Sequence, residues 1–339
     1  MTRAGLSVCS IAIAAWLSMA FSGAAQTISG IKIVFYNTEN LFDPSDDPKA
    51  NDNDFTPAGA MHWTYKRFTA KENNLGKVLI AIGEWNPPDI IGLCEIENDY
   101  VLDHLVAKTS LSKFGYSWLH RDSPDKRGID VALLYNPSTV KVLECRYFRI
   151  DTNIVVSREI LYACLLAQSD TFHVFVNHWP SRSAGQLETD KSRFAAASLL
   201  RQKADSLFNH DTASNIVIMG DFNDEPTDES LVRVLNAGTP EHPVTKGLYN
   251  LSRIPEKGPV KGTLKFQGTW NIFDQIMVSG NLLLSGRITS NSYHIFDGSF
   301  LLEPDETYTG MKPYRTYSGF RYHGGFSDHL PVYVVISDW

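Results

Sequence analysis

Ile216-Val217-Ile218-Met219-Gly220-Asp221-Phe222-Asn223-Asp224 is the stretch on which the reading of the whole chain turns. Its first four residues are apolar and mostly β-branched, the composition of a buried strand, and Gly220 ends the run. Beyond it Asp221 and Asn223 stand two apart on extended chain, so their side chains leave the backbone on the same side. A carboxylate and a carboxamide together at a strand mouth can hold a hard cation or a phosphate. The same residues can equally make an Asx-turn before a helix. The remaining chain has to decide between the two.

Working outward, residues 31–36 alternate as a strand with Asn37 at its end, and residues 89–94 form a buried strand ending at Glu95. Strands follow in direct succession over 129–135, with Asp130 near the start, and over 140–150, 160–167 and 172–176, the last leading into Asn177-His178-Trp179-Pro180. Residues 272–278 form a strand containing Asp274, and Phe326-Ser327-Asp328-His329-Leu330-Pro331 precedes a final strand over 332–336. Helical spacing marks 71–85, where Leu75, Val78, Leu79 and Ile82 share a face and Pro87-Pro88 stop the helix. Further helices are expected over 100–108, over 187–208 with Phe194, Ala197, Leu200 and Leu207 on one stripe, and briefly over 231–235. The acidic stretch 42–63 is rich in turn formers and lacks the spacing of an EF-hand, so it reads as a solvated loop. Strands that follow one another without helices between them predict an α/β (α+β) chain with a sheet-on-sheet core and helices outside.

Composition sets the bounds. The chain has 339 residues, 43% hydrophobic and 20% charged, enough for a large core, and no linker interrupts it. One domain over 26–339 is expected. Residues 1–25 carry Arg3, an apolar run over 4–21 and the small residues Ser22-Gly23-Ala24-Ala25, the pattern of an export signal cleaved before Gln26. With no second apolar span of membrane length, a periplasmic or extracellular monomer is expected rather than an anchored protein. Cys94, Cys145 and Cys164 remain beyond that signal, so at most one disulfide can form. Cys145 and Cys164 lie on successive strands and either pair across the ladder or stay free. A net charge of −7 supplies no global attraction for polyanions, so an anionic substrate would be held by a metal and a local basic rim.

Six strand ends carry polar residues of one limited set: Asn37, Glu95, His178, Asp221 with Asn223, Asp274, and Asp328 with His329. Each alone has an ordinary structural explanation. Together they match the habit of function to gather on loops at one edge of a rigid scaffold. At Gly220-Asp221-Phe222-Asn223 and Ser327-Asp328-His329-Leu330-Pro331 the chain resembles the endonuclease/exonuclease/phosphatase superfamily, in its deoxyribonuclease-I-like branch. Phe35-Tyr36-Asn37-Thr38-Glu39-Asn40-Leu41, Leu93-Cys94-Glu95 and Asn177-His178-Trp179-Pro180 support the resemblance in the same order along the chain.

The resemblance implies a four-layer sandwich: two packed, mostly antiparallel β-sheets flanked by helices, with the site across their common mouth. It implies that Glu95 is the principal metal carboxylate, helped by Asn37 and Asp328. Asp221 would orient or deprotonate the attacking water, Asn223 would donate to the scissile phosphate, and His329 would be the acid/base with Asp274 orienting it. His178 stands where abasic-site endonucleases carry tyrosine and where deoxyribonuclease I and the sphingomyelinases carry histidine. Asp130 either supports His178 from behind or makes a surface pair with Arg127. Arg127 and Arg182 are candidates for flanking phosphates, whereas Lys191 and Arg193 read as solvated helix charges. Trp179 either stacks on a base or packs in the core. One strong carboxylate with weaker oxygen helpers suits Mg²⁺, with Mn²⁺ or Ca²⁺ as substitutes, better than it suits zinc. The expected activity is that of an exported, metal-dependent phosphodiesterase, a nuclease acting on DNA or RNA. The alternative is a sphingomyelinase-like phospholipid hydrolase, or one for another small phosphodiester or phosphomonoester. Against the lipid reading, no exposed aromatic hairpin or basic amphipathic helix is visible in the sequence.

Overall fold

The computed structural model describes residue 1 and residues 30–84, 86–150, 157–182, 185–253 and 259–338. The expected export signal lies outside the described residues. Two large sheets dominate. The first contains β1 (Gly30–Leu41), β2 (Ile90–Ile96), β3 (Ser117–His120) and β4 (Asp130–Tyr135). The second contains β5 (Val140–Phe148), β6 (Ile160–Ala167), β7 (Asp170–His178), β8 (Asn215–Asp221), β9 (Ala237–Gly238) and β10 (Leu248–Asn250). Next come a small hairpin, β11 (Leu264–Phe266) with β12 (Thr269–Asn271), and then β13 (Asp274–Ser279) and β14 (His294–Ile295). The first sheet runs β14, the C-terminal strand Val332–Ser337, β1, β2, β4, β3; the second runs β5, β6, β7, β8, β13, β10, β9. Among the described residues, only β1 with β2, β7 with β8, and β9 with β10 pair in parallel.

Alternation along each strand builds the layers. In β1, Ile31, Ile33 and Phe35 face the core between the sheets, whereas Val34 and Tyr36 face outward. In β8, Val217 and Met219 point inward, and Ile216 and Ile218 point outward. Both faces are covered, so these strands read as unbroken apolar runs. On the outer face of the first sheet lie α1 (Tyr65–Gly83), which buries Phe68, Leu75, Val78, Leu79 and Ile82, and α2 (Asp99–Lys108). On the outer face of the second lies α3 (Gln186–His210), with Ala197, Leu200, Ala204 and Phe208 buried. The result is the expected four-layer sandwich. Each fully buried Leu, Ile or Phe contributes about 1.5–3 kcal/mol, so the three apolar layers fix the sheets against one another.

Gly220 has a specific task at the mouth. A Cβ there would lie 2.5 Å from the carbonyl oxygen of Asn177, so only glycine lets β7 approach β8 closely beside Asp221. The structure departs from expectation at three places. β1 does not stop at Tyr36 but continues to Leu41 through an irregularity after Asn37. α1 begins at Tyr65, six residues before the expected start, because the Thr64 side chain caps it by accepting from Arg67 N at 3.4 Å. The hairpin β11–β12 interrupts what reads as plain loop. Of the two alternatives for the cysteines the structure takes the free one: Cys145 lies opposite Ala163, and Cys164 opposite Glu144. Neighbouring residues point to opposite faces, so Cys145 and Cys164 cannot meet, and both stay free.

Candidate active site

Two bulges shape one side of the mouth. β1 and β2 lose register just after Asn37 and Cys94, and the bulged residues Glu39, Asn40 and Glu95 have φ of 52°, 54° and 62°. Asn223, just past β8, has φ of 51°. Non-glycine residues rarely adopt this left-handed region, which costs of order 1–3 kcal/mol each and persists only where surroundings enforce it. The enforcement is visible. Thr38 Oγ1 donates to Cys94 O at 2.8 Å, and Asn40 N donates to Glu95 Oε2 at 2.7 Å. The bulge therefore aims Glu95 into the mouth, with Oε1 3.9 Å from His178 Nε2.

The other side is built by regular register. His178 on β7 lies opposite Asp221 on β8, and Asp221 lies opposite Asp274 on β13. Three consecutive strands thus present one row of functional side chains on the same face. Asp221 Oδ2 is its focus: Asn37 Nδ2 donates to it at 3.0 Å, His178 Nε2 lies at 3.8 Å and His329 Nε2 at 3.9 Å. Its Oδ1 accepts from Asn223 N at 2.9 Å. His329 hydrogen-bonds Asp274 Oδ2 through Nδ1 at 2.7 Å, and Ser327 Oγ holds its loop by donating to Asn37 O at 2.7 Å. Glu95, Asp221 and His329 therefore converge, linked through His178 and Asp221 by separations of 3.8–3.9 Å.

Burial and charge separate the titrations. Desolvation pushes the Asp221 carboxyl up to about 6, with Asp274 and Glu95 adding to the rise and His329 opposing it. For His329, burial disfavours the charged form, but Asp274, Asp221 and Asp328 more than offset it, and its pKa rises well above the ordinary histidine value. His178 goes the other way: burial, reinforced by Arg158 and Arg127, lowers it well below that value. The site therefore places a charged imidazole and a neutral one on either side of one carboxylate oxygen.

Several expected residues have other tasks. Asn37 is engaged at both ends of its carboxamide, since Oδ1 accepts from Glu39 N at 2.9 Å, and it orients Asp221. Asp130 meets neither His178 nor Arg127. It accepts from Ser123 N at 3.1 Å and lies 3.7 Å from His120, because β3 rather than β7 is the neighbour of β4. Arg127 is exposed, with Asp125 at 3.9 Å. Arg182 spends its guanidinium on Asn223 O, Asp224 and Asp228, and so braces the loop after β8 instead of waiting for a phosphate. Arg193 is fully buried, not solvated, and lies 2.8 Å from Asp224. Trp179 is core: it is fully buried, packs edge-on to Phe222 and donates to Asn177 Oδ1 at 3.2 Å. Asn223 Nδ2 donates to Trp179 O at 3.1 Å, which leaves one of its two N–H bonds for a substrate.

Other residues enter unannounced. Arg315 reaches Asp328 Oδ2 at 2.9 Å and approaches Glu39 Oε1 at 3.4 Å, so a cation lies among the carboxylates beside Glu95. Lys71, on α1 and buried, stands 3.9 Å from Glu39. Arg158 is buried behind His178, bound to Asp125 at 2.9 Å and to Trp179 O at 3.0 Å. The only signal for Glu39 is its position two residues after Asn37; Arg315 lies among strands too short to show a pattern. The hairpin β11–β12 is also beside the site, since Leu264 bridges His329. It exposes Phe266 (63%), with Tyr308 (44%) packed against Gly268, which corrects the expectation that no exposed aromatic hairpin is present.

Ligand atoms of Asp221, Asp274 and His329, and of Cys94, His178 and Asp221, lie within 4.8 Å of one another and could hold a metal. The first group is closed by its own Asp274–His329 bond. The second requires the Cys94 thiol, which burial pushes well above its ordinary pKa. Glu95 offers a hard oxygen donor of the kind divalent cations take, with Oε2 accepting from Asn40 N and Oε1 3.9 Å from His178 Nε2.

Comparison with known proteins agrees with this architecture. The sequence signature of the Endonuclease/Exonuclease/phosphatase family matches residues 32–338. An endonuclease/exonuclease/phosphatase family protein of Bacteroides thetaiotaomicron is 19% identical, with 92% of this chain and 99% of that one covered and a TM-score of 0.56. Truncated TDP2 of Caenorhabditis elegans is 14% identical over 92% and 99% of the two chains, with a TM-score of 0.57. The mannosyl-6-phosphatase Bt3783 of Bacteroides thetaiotaomicron is 18% identical over 90% and 98%, with a TM-score of 0.55. At these identities the likeness is one of fold. No curated protein matches the sequence significantly.

Proposed function

From the premise that this chain belongs to the endonuclease/exonuclease/phosphatase family, we propose that it is an exported, metal-dependent phosphodiesterase that cleaves nucleic acid. The observation that carries the reading is the shared oxygen of Asp221, held by Asn37 and flanked by two imidazoles of opposite protonation. Asp221, ionised above pH of about 6, accepts the proton of the attacking water. His329, charged and held by Asp274 through Nδ1, gives its Nε2 proton to the leaving oxygen. Neutral His178 with its Nε2–H directed between Glu95 and Asp221 donates to a non-bridging oxygen, and Asn223 donates its remaining N–H to another. A divalent ion held by Glu95 with Asp328 would supply the charge that stabilises the equatorial oxygens. Arg127, which acts on His178, and Arg315, against Asp328, lie toward opposite members of the centre. The exposed guanidinium of Arg127 suits a strand that carries a further phosphate beside the scissile one.

Plasmid DNA, RNA, sphingomyelin and a chromogenic bis-phosphodiester, each tested with Mg²⁺ and Mn²⁺, separate the readings. Cleavage of DNA or RNA that is lost in Asp221→Asn supports the nuclease; untouched nucleic acid with cleaved sphingomyelin removes it. A second reading, an amphiphilic phosphodiester, is favoured by one observation: Phe266 is exposed on the hairpin that bridges His329.

A further inference from the structure

We propose that His120, Asp122 and Asp130 form a second metal site, separate from the phosphoester centre, that takes a transition ion such as Zn²⁺. Ligand atoms of these three residues lie within 4.8 Å of one another. His120 ends β3, Asp130 begins β4, and Asp122 lies on the turn that joins them. None of the three is used by the mechanism above.

The histidine supplies the independent observation. Its side chain is wholly buried, and Nε2 has no hydrogen-bond partner although it points at Asp130, whose Oδ2 is 3.7 Å away. Nδ1 is occupied: it lies 2.8 Å from Oδ1 of Asp99, the first residue of α2. A carboxylate that accepts from Nδ1 fixes the tautomer and leaves the Nε2 lone pair presented. Metal-ligating histidines are usually oriented by such a partner. Asp130 is arranged in the same sense, since Oδ1 accepts from Ser123 N at 3.1 Å and Oδ2 is left facing His120. Two ligands at about 2.0–2.2 Å from a common tetrahedral ion stand about 3.3–3.6 Å apart, slightly less than the 3.7 Å between Nε2 and Oδ2. Asp122 is exposed, so it can close the remaining distance and leave water in the fourth position. One imidazole with two carboxylates suits zinc or another first-row ion better than Mg²⁺ or Ca²⁺. Such an ion would tie down the turn that carries Arg127.

The competing occupant is a proton, which would make His120 an imidazolium between Asp99 and Asp130. Zn²⁺ titrated calorimetrically into the untagged, chelator-treated chain, with Mg²⁺ held in excess, distinguishes the two. Wild type should take up one more equivalent of Zn²⁺ than His120→Ala. Asp122→Asn, a change at an exposed side chain, should weaken that equivalent about tenfold or more. Zn²⁺ should raise Tm in wild type and not in either variant, while Mg²⁺-dependent hydrolysis persists in Asp122→Asn. Full Zn²⁺ uptake by either variant overturns the proposal, as does a wild type that binds no Zn²⁺ under these conditions.

Discussion

The two halves of the mouth are made in different ways. One half is a row in strand register, His178–Asp221–Asp274, whose spacing is fixed by the ladders of β7, β8 and β13. The other half, Glu39, Glu95, Arg315 and Asp328, is assembled from bulges and irregular loops and held by ion pairs. Ladder geometry is rigid and cannot adapt to what binds. Ion pairs near the surface are worth little individually and can be exchanged for a metal or a substrate. In the proposed mechanism the rigid half holds the proton acceptor Asp221, and the adjustable half holds the ion.

The most severe way to break this division is to alter the row. Asp221→Asn and His329→Ala should each lower kcat by about 10²–10⁴ while far-UV circular dichroism is unchanged; near-normal turnover in either would move proton transfer elsewhere. Asp274→Asn removes the charge that holds His329 protonated, so a loss of kcat of about tenfold to a hundredfold is expected, with the alkaline limb of the pH profile moved toward neutrality. In the wild type, kcat/KM should fall as pH drops below about 6, because Asp221 must be ionised to act. The alkaline limb should lie above the usual histidine range, because His329 must stay protonated. The linkage sign follows. A histidine raised in the folded state stabilises fully below its unfolded pKa and loses that contribution as pH rises through the folded one. The smallest effect belongs to the loop half. Arg315→Ala should change kcat by less than about tenfold yet tighten Mg²⁺ binding in calorimetry, since it removes a cation from among the metal carboxylates. Weaker Mg²⁺ binding in that variant would erase the distinction between the halves.

The same division explains what the sequence discloses. The row is legible because its members flank apolar runs whose period is plain: Asp221 follows Ile216 to Met219, His178 follows Phe172 to Val176, and Asp274 stands at the head of its strand. Glu95 is legible for the same reason. Arg315 is not, because its partner Glu39 is 276 positions away by number and its own segment holds only two- and three-residue strands. The neighbour of Asp130 depends on strand order, which no local pattern encodes, and so the sequence offers His178 or Arg127 as its partner where the structure gives His120. Arg182 reads as a phosphate ligand and Arg193 as a solvated helix charge until the loop after β8 is seen to need two guanidiniums around Asp224.

The bond from Asn37 to Asp221 runs from β1 in one sheet to β8 in the other. The proton acceptor is thus aligned by a tie between two separately hydrogen-bonded slabs, and turnover becomes a gauge of their alignment. Low denaturant or moderate pressure that slides one slab over the other would silence the enzyme early. Trp63 and Trp179, each embedded in an outer layer, would still report an intact protein.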